Sequence, residues 1–150
     1  MEVTLLEMLE ARERRAARQQ VLLRDYGKTM VCFTMNIAGP VKNSSLIRRG
    51  YALGKRLLRQ QLEVAGIPIA YSEEIQEKTG NEAIFLLDAD PLAVKAITVE
   101  IEDQPAVGRL FDMDVLCPNG RKVDRQELGL SGRGACCILG HCFPLFHHFK

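Results

Sequence analysis

Two carboxylates stand two positions apart in Gly108-Arg109-Leu110-Phe111-Asp112-Met113-Asp114-Val115-Leu116, inside an otherwise apolar, strand-like run. Alternate side chains of a strand share a face, so Asp112 and Asp114 point one way while Phe111, Met113 and Val115 point the other. Such a pair suits Mg2+, a hard cation that takes one or two carboxylates and keeps water and substrate phosphates as its other ligands. The chemistry it would serve is attack on a phosphoryl group with pyrophosphate leaving, the metal neutralising the charge that develops. A solvated strand face shows the same D-x-D pattern, and the spacing by itself leaves both readings open. Glu100 and Glu102 are candidates for a third carboxylate, or simply for the polar side of a helix.

A second constellation is Gly39-Pro40-Val41-Lys42-Asn43-Ser44, followed by Arg48 and Arg49. A turn that feeds a helix N-terminus presents free backbone N–H groups and the positive end of the helix dipole, and Lys and Arg nearby strengthen phosphate capture. A plain strand-to-helix connection with solvated cations is the equal alternative. The P-loop pattern G-x-x-x-x-G-K-[ST] is absent. Arg12, Arg15 and Arg18 lie on neighbouring turns of the first helix, with Gln19 beside them. They read as surface arginines, or as contacts to an acidic partner protein or a nucleotide.

The C-terminal stretch Gly132 to Lys150 holds Cys136, Cys137, His141, Cys142, His147 and His148. Zinc sites space their ligands as paired C-x2-4-C units, which adjacent cysteines in an apolar run match poorly. A loosely ordered end is the expectation. No Ser-His-Asp or activated Cys-His arrangement can be assembled.

These residues need elements to position them. Thr4 and Glu7 have capping-box spacing and Gly27 is a natural helix stop, so a long Arg-rich helix is predicted between them. Residues 28–39 are β-branched and apolar, a buried strand. Asn43 or Ser44 caps a helix whose Leu46, Leu53, Leu57, Leu58 and Leu62 keep helical spacing up to Gly66. Residues 67–74 and 82–90 read as two strands, and Asp90-Pro91 as the cap and N1 position of a third helix through about residue 103. The acid-bearing strand follows, and Asn119-Gly120 signals a hairpin return. The predicted class is α+β, with a mixed or antiparallel sheet around a βαββαβ, ferredoxin-like core, a long N-terminal helix and a C-terminal hairpin. A mixed sheet of another topology uses the same elements.

A chain of 150 residues, 47% hydrophobic and 26% charged, supports one soluble domain, placed at residues 1–131 with an atypical tail over 132–150. A net charge of +1 is too small for nonspecific coating of nucleic acid. Aromatics at 6%, none beside a basic strand, leave no stacking platform for RNA. The N-terminus has no signal-peptide core, and no run approaches the roughly 20 apolar residues of a membrane span. The expectation is a cytoplasmic protein that binds neither nucleic acid nor membrane, with its five cysteines reduced.

Three blocks in order, LLEMLEARERRAARQQ, VCFTMNIAGPVKNSSLIRRGY and VGRLFDMDVLCPNGRKVDRQELGL, resemble the citrate lyase holo-acyl-carrier-protein synthase family, also called apo-citrate lyase phosphoribosyl-dephospho-CoA transferase. The resemblance covers roughly residues 3–131. It implies nucleotidyltransferase-like transfer of a triphosphoribosyl-dephospho-CoA group to a serine hydroxyl on the apo acyl carrier subunit of citrate lyase, releasing pyrophosphate. The attacking serine then belongs to the partner, in keeping with the absence of an enzyme nucleophile. By the same resemblance Asp112 and Asp114 would hold Mg2+ and take part in catalysis. Gly39, Lys42, Ser44, Arg48 and Arg49 would surround phosphates, and Arg109 would assist the leaving pyrophosphate. Arg15, Arg18 and Gln19 match the family's N-terminal basic block, as a carrier dock or a ligand contact. The segment from Gly134 departs from the family pattern, which suggests a truncation or an altered reading frame. The competing reading is a non-catalytic, ferredoxin-like regulatory domain that binds a small ligand without Mg2+ and tolerates loss of Asp112 and Asp114.

Overall fold

The computed structural model describes residues 2–129. Helix α1, Leu5–Tyr26, opens on the Thr4–Glu7 capping box and closes at Gly27, whose φ of 62° is the left-handed conformation glycine adopts without strain. Strand β1 is Thr29–Met35, shorter at both ends than the apolar run 28–39. Of the two cap candidates for α2, Ser45–Val64, Ser44 does the capping, its Oγ accepting from Ile47 N at 3.2 Å. Strands β2, Ile69–Glu77, and β3, Gly80–Leu87, form a hairpin. Helix α3, Pro91–Glu102, starts with Asp90 accepting from Leu92 N at 2.7 Å and proline at its first turn. Strand β4, Phe111–Leu116, returns through Asn119-Gly120 to a two-residue β5, Lys122–Val123.

The sheet order is β2-β3-β1-β4-β5, and every neighbouring pair is antiparallel. The fold is α+β. The order β2-β3-β1-β4 is the one that two interleaved split βαβ units produce, compatible with a ferredoxin-like core.

Period-two alternation gives the sheet two different faces. Val31, Phe33, Ala83, Phe85, Phe111, Met113 and Val115 point under α2 and α3, where Tyr51, Leu58, Leu62 and Ile101 complete the main core. Burying each large apolar side chain of this kind contributes roughly 1.5–3 kcal/mol. Helix α1 covers the opposite face through Leu22 and Leu23, which meet Met30, Cys32, Ile84, Leu86 and Leu116. Gly54 lets α2 approach β1, since a Cβ there would run into the Phe33 ring.

The metal-capable tail residues Cys136, Cys137, His141, Cys142, His147 and His148 lie outside the described residues, as does the boundary drawn at residue 131. Among the described residues no helix is long and apolar enough to cross a membrane.

Candidate active site

Register places Asp112 opposite Thr34 and Asp114 opposite Cys32 of β1, on the face that α1 occupies. Packing by α1 stops at Cys32 and Leu116, so Asp112 is exposed and Asp114 half-buried. Among the described residues the outer edge of β4 is also open along Phe111–Asp114, because β5 pairs only with Val115 and Leu116. The freed backbone donors there find other partners: Phe111 N–H donates to Gly108 O, and Met113 N–H to Glu102 Oε2 at 2.7 Å. Glu102, from the last turn of α3, therefore fastens that helix to the acid-bearing strand.

Around this edge lies an open cleft of about 490 Å3, lined by Asp112, Asp114, Glu102, Lys95, Lys122 and Arg125 among others. Its charges are arranged unevenly. Lys122 Nζ is 3.2 Å from Asp114 Oδ1, and Arg125 bridges Glu102 at 3.1 Å and Asp103 at 3.0 Å. The Asp114 contact raises the Lys122 pKa above the usual lysine range. The Asp112 carboxyl is pushed up, first by partial desolvation against the sheet and then by the charges of Asp114 and Glu102. Lys95, on α3, is only 5% exposed, and burial lowers its pKa.

The donor set suits Mg2+. Partial desolvation, and after it the charges of Asp114 and Glu102, disfavour ionised Asp112, an imbalance that a divalent cation relieves. No group of three or more His, Cys, Asp or Glu side chains is placed to hold a metal among the described residues. Water and substrate phosphates would complete the shell, as Mg2+ commonly requires. Glu102 is committed to Met113 and Arg125, and Glu100 is exposed.

The basic loop between β1 and α2 sits at the end of the sheet where β1 finishes and β4 begins, with Asn36 N–H donating to Leu110 O at 2.7 Å. Lys42 Nζ donates to Ile37 O at 2.6 Å, Gly39 has a φ of 86°, and Asn43 shares a reciprocal amide pair with the buried Asn81. Arg48 and Arg49 are exposed on the first turn of α2, and Arg109 is exposed in the turn before β4. None of Gly39, Lys42, Ser44, Arg48, Arg49 or Arg109 lines the acid-pair cleft.

Arg15 and Arg18 face the sheet. Arg15 donates to Glu82 Oε2 at 2.9 Å, and Arg18 holds Glu73 through two bonds of 2.8 and 2.6 Å. Gln19 lies beside the Cys32 thiol, whose pKa burial pushes up to about 11. This polar layer is separate from the acid-pair cleft.

Lys122, Lys95 and Arg125 are the cleft residues that the sequence reading passed over. Lys122 was within reach of it: an Asn119-Gly120 turn sets Lys122 opposite Leu116, on the face that Asp114 shares. Lys95 gives no such signal in a helix that is buried nearly all round.

The chain matches known proteins over most of its length. The family model described as apo-citrate lyase phosphoribosyl-dephospho-CoA transferase matches residues 3–141. The chain is 33% identical over 137 residues to the apo-citrate lyase phosphoribosyl-dephospho-CoA transferases of Citrobacter koseri and of Escherichia coli O139:H28, covering 91% of this chain and 74% of each relative. It is 34% identical over 140 residues to protein CitXG of Haemophilus influenzae, covering 92% of this chain and 30% of that longer protein. The chain belongs to the apo-citrate lyase phosphoribosyl-dephospho-CoA transferase family.

Proposed function

We propose that this protein transfers the 2'-(5''-triphosphoribosyl)-3'-dephospho-CoA group to a serine hydroxyl of the apo acyl carrier subunit of citrate lyase and releases pyrophosphate. Family membership over residues 3–141 supports the reaction. The observation that ties it to this chain is the Asp112–Asp114 pair, side by side on one face of β4 at an open cleft.

In this reading the partner's serine oxygen forms a bond to the phosphorus next to the ribose. The bond from that phosphorus to the bridging oxygen breaks, pyrophosphate leaves with the electron pair, and the hydroxyl proton passes to water. Asp112 and Asp114 would hold Mg2+, which supplies charge neutralisation on the reacting phosphate when bound. Lys122 competes with the metal for Asp114 and keeps the pair from collapsing into mutual repulsion in its absence. Glu102 fixes the strand that carries both acids.

The donor has two polyphosphates, the triphosphate that reacts and the diphosphate within dephospho-CoA. Gly39, Lys42, Ser44, Arg48 and Arg49, beyond the cleft at the same end of the sheet as Asp112, suit the second, with Arg109 between the two. Arg15, Arg18 and Gln19 then serve chiefly to seat α1. The free thiols of Cys32 and Cys117 fit a reducing compartment, the basis on which we place the reaction in the cytoplasm.

The test is intact mass of apo carrier protein after incubation with the donor and this chain, with Mg2+ or chelator. A metal-dependent mass gain, cut at least about a hundredfold in rate by Asp112→Asn or Asp114→Asn, is the expected result. A gain that both variants retain would remove the acid pair from the mechanism.

A further inference from the structure

Lys95 is a buried lysine, 5% exposed, on a helix that is otherwise almost wholly apolar toward the sheet. Buried ammonium groups are ordinarily paired, because an isolated charge away from water is strongly unfavourable. Its neighbours in the cleft follow that rule: Lys122 has Asp114, and Arg125 has Glu102 and Asp103. Lys95 does not. Its ammonium makes no hydrogen bond and no ion pair with any described residue; it lines the cleft, where it feels the charges of Glu102 and Asp114 and itself acts on the buried Glu127.

We propose that Lys95 binds the terminal phosphates of a polyphosphate ligand in the cleft beside Asp112 and Asp114, with Lys122 and Arg125 as its cationic neighbours. Three N–H donors without protein acceptors match the several oxygens of a diphosphate end. The stem of Lys95 is buried while its nitrogen is not among the fully buried atoms without a partner, so the side chain delivers its charge to the cleft. Assigning the ligand as the diphosphate that departs in the transfer rests on the function proposed above; the anion site itself stands on Lys95 and its surroundings.

The experiment is calorimetric titration of inorganic pyrophosphate, with Mg2+ present, into the full chain and into Lys95→Met, Lys95→Gln and Lys95→Arg, with a melting temperature for each. The expected result is pyrophosphate binding that Lys95→Met weakens by about tenfold or more, that Lys95→Arg partly restores, and no fall in melting temperature for Lys95→Met. Unchanged affinity in Lys95→Met overturns the proposal. If that variant does not fold, unchanged affinity in Lys95→Gln overturns it equally. Carrier modification is followed in parallel by intact mass. Pyrophosphate binding lost in Lys95→Met without any carrier modification by the parent chain would support the anion site and sink the transferase reading. Carrier modification by a chain that does not bind pyrophosphate would do the reverse.

Discussion

Lys122 Nζ lies 3.2 Å from Asp114 Oδ1, so the hairpin that ends the sheet delivers a cation to the rim of the acid pair. The contact is largely solvent-exposed, and such pairs contribute about 0.2–1 kcal/mol. Its consequence is competitive: a metal at Asp114 must displace Lys122. Lys122→Met is expected to tighten Mg2+ binding by up to about fivefold, the factor equivalent to about 1 kcal/mol. Calorimetric Mg2+ titration checks it, and unchanged or weaker binding would show that Lys122 is no competitor.

Asp112 sets a pH dependence. Its folded-state pKa is raised above the ordinary value of 3.8, so the native state binds a proton more readily than the unfolded chain. Ionised Asp112 is therefore a destabilising term at neutral pH, which disappears as pH falls below about 3.8, where both states are protonated. Asp112→Asn should raise the melting temperature at pH 7 and lose that advantage in acid. Equal melting temperatures at pH 7 would mean that the raised basicity is not expressed in stability. Mg2+ should raise the melting temperature of the parent chain and not of Asp112→Asn.

Glu82 is buried and depends on Arg15, with Arg14 more distant at 3.7 Å. Arg15→Ala should cost about 1–3 kcal/mol, the usual penalty for stranding a buried hydrogen-bonding group. Adding Glu82→Gln should recover much of the loss, since the uncompensated charge is then gone. Urea unfolding of the two single variants and the double variant measures the coupling, and additive losses would count against the pair.

The Arg18–Glu73 contact makes an acid-side prediction of opposite sign to Asp112. Arg18 holds the Glu73 carboxyl below its ordinary value of 4.5, so the stabilisation is present above that value and is lost as pH falls through the lower folded one. Glu73→Gln should flatten the acid decline of stability over that window. An unchanged profile below pH 4.5 would show the pair to be energetically silent.

Gly54→Ala would place a methyl group against Phe33, within 3.0 Å of Phe111 Cε1. Both rings lie beneath the strands that position the acids, and overpacking of this kind costs about 1–3 kcal/mol. Urea unfolding measures it, and a loss below about 0.5 kcal/mol would mean that the rings give way freely.

Local signals found most of the elements. Thr4 with Glu7, Gly27, Ser44, Asp90-Pro91 and Asn119-Gly120 are punctuation that acts over a few residues, and each appears in the structure where the sequence put it. The alternation that separates Asp112 and Asp114 from Phe111, Met113 and Val115 is equally local. Helix α1 was harder to read. Ala11, Arg15, Arg18 and Leu22 form its sheet-facing stripe, and two arginines on a buried face make sense only once Glu73 and Glu82 are known to lie beneath it. Those partners are 55 and 67 residues away in the chain. Lys95 was illegible for the same reason, since its meaning comes from Asp114 and Glu102 across the cleft.

Among the described residues no strand pairs with the outer margin of β4 at Phe111–Asp114. An unpaired strand edge is a template on which a second chain can add its own strand, the first step toward fibrous association. Here the Glu102 side chain already occupies the Met113 donor, and Asp112 and Asp114 stand beside it. An incoming strand would have to displace the first and approach the charges of the others. Gly108 keeps α3 close enough for this, because a Cβ there would collide with the Glu102 carbonyl. The arrangement that offers the acids to a ligand thus also guards the sheet against copies of itself.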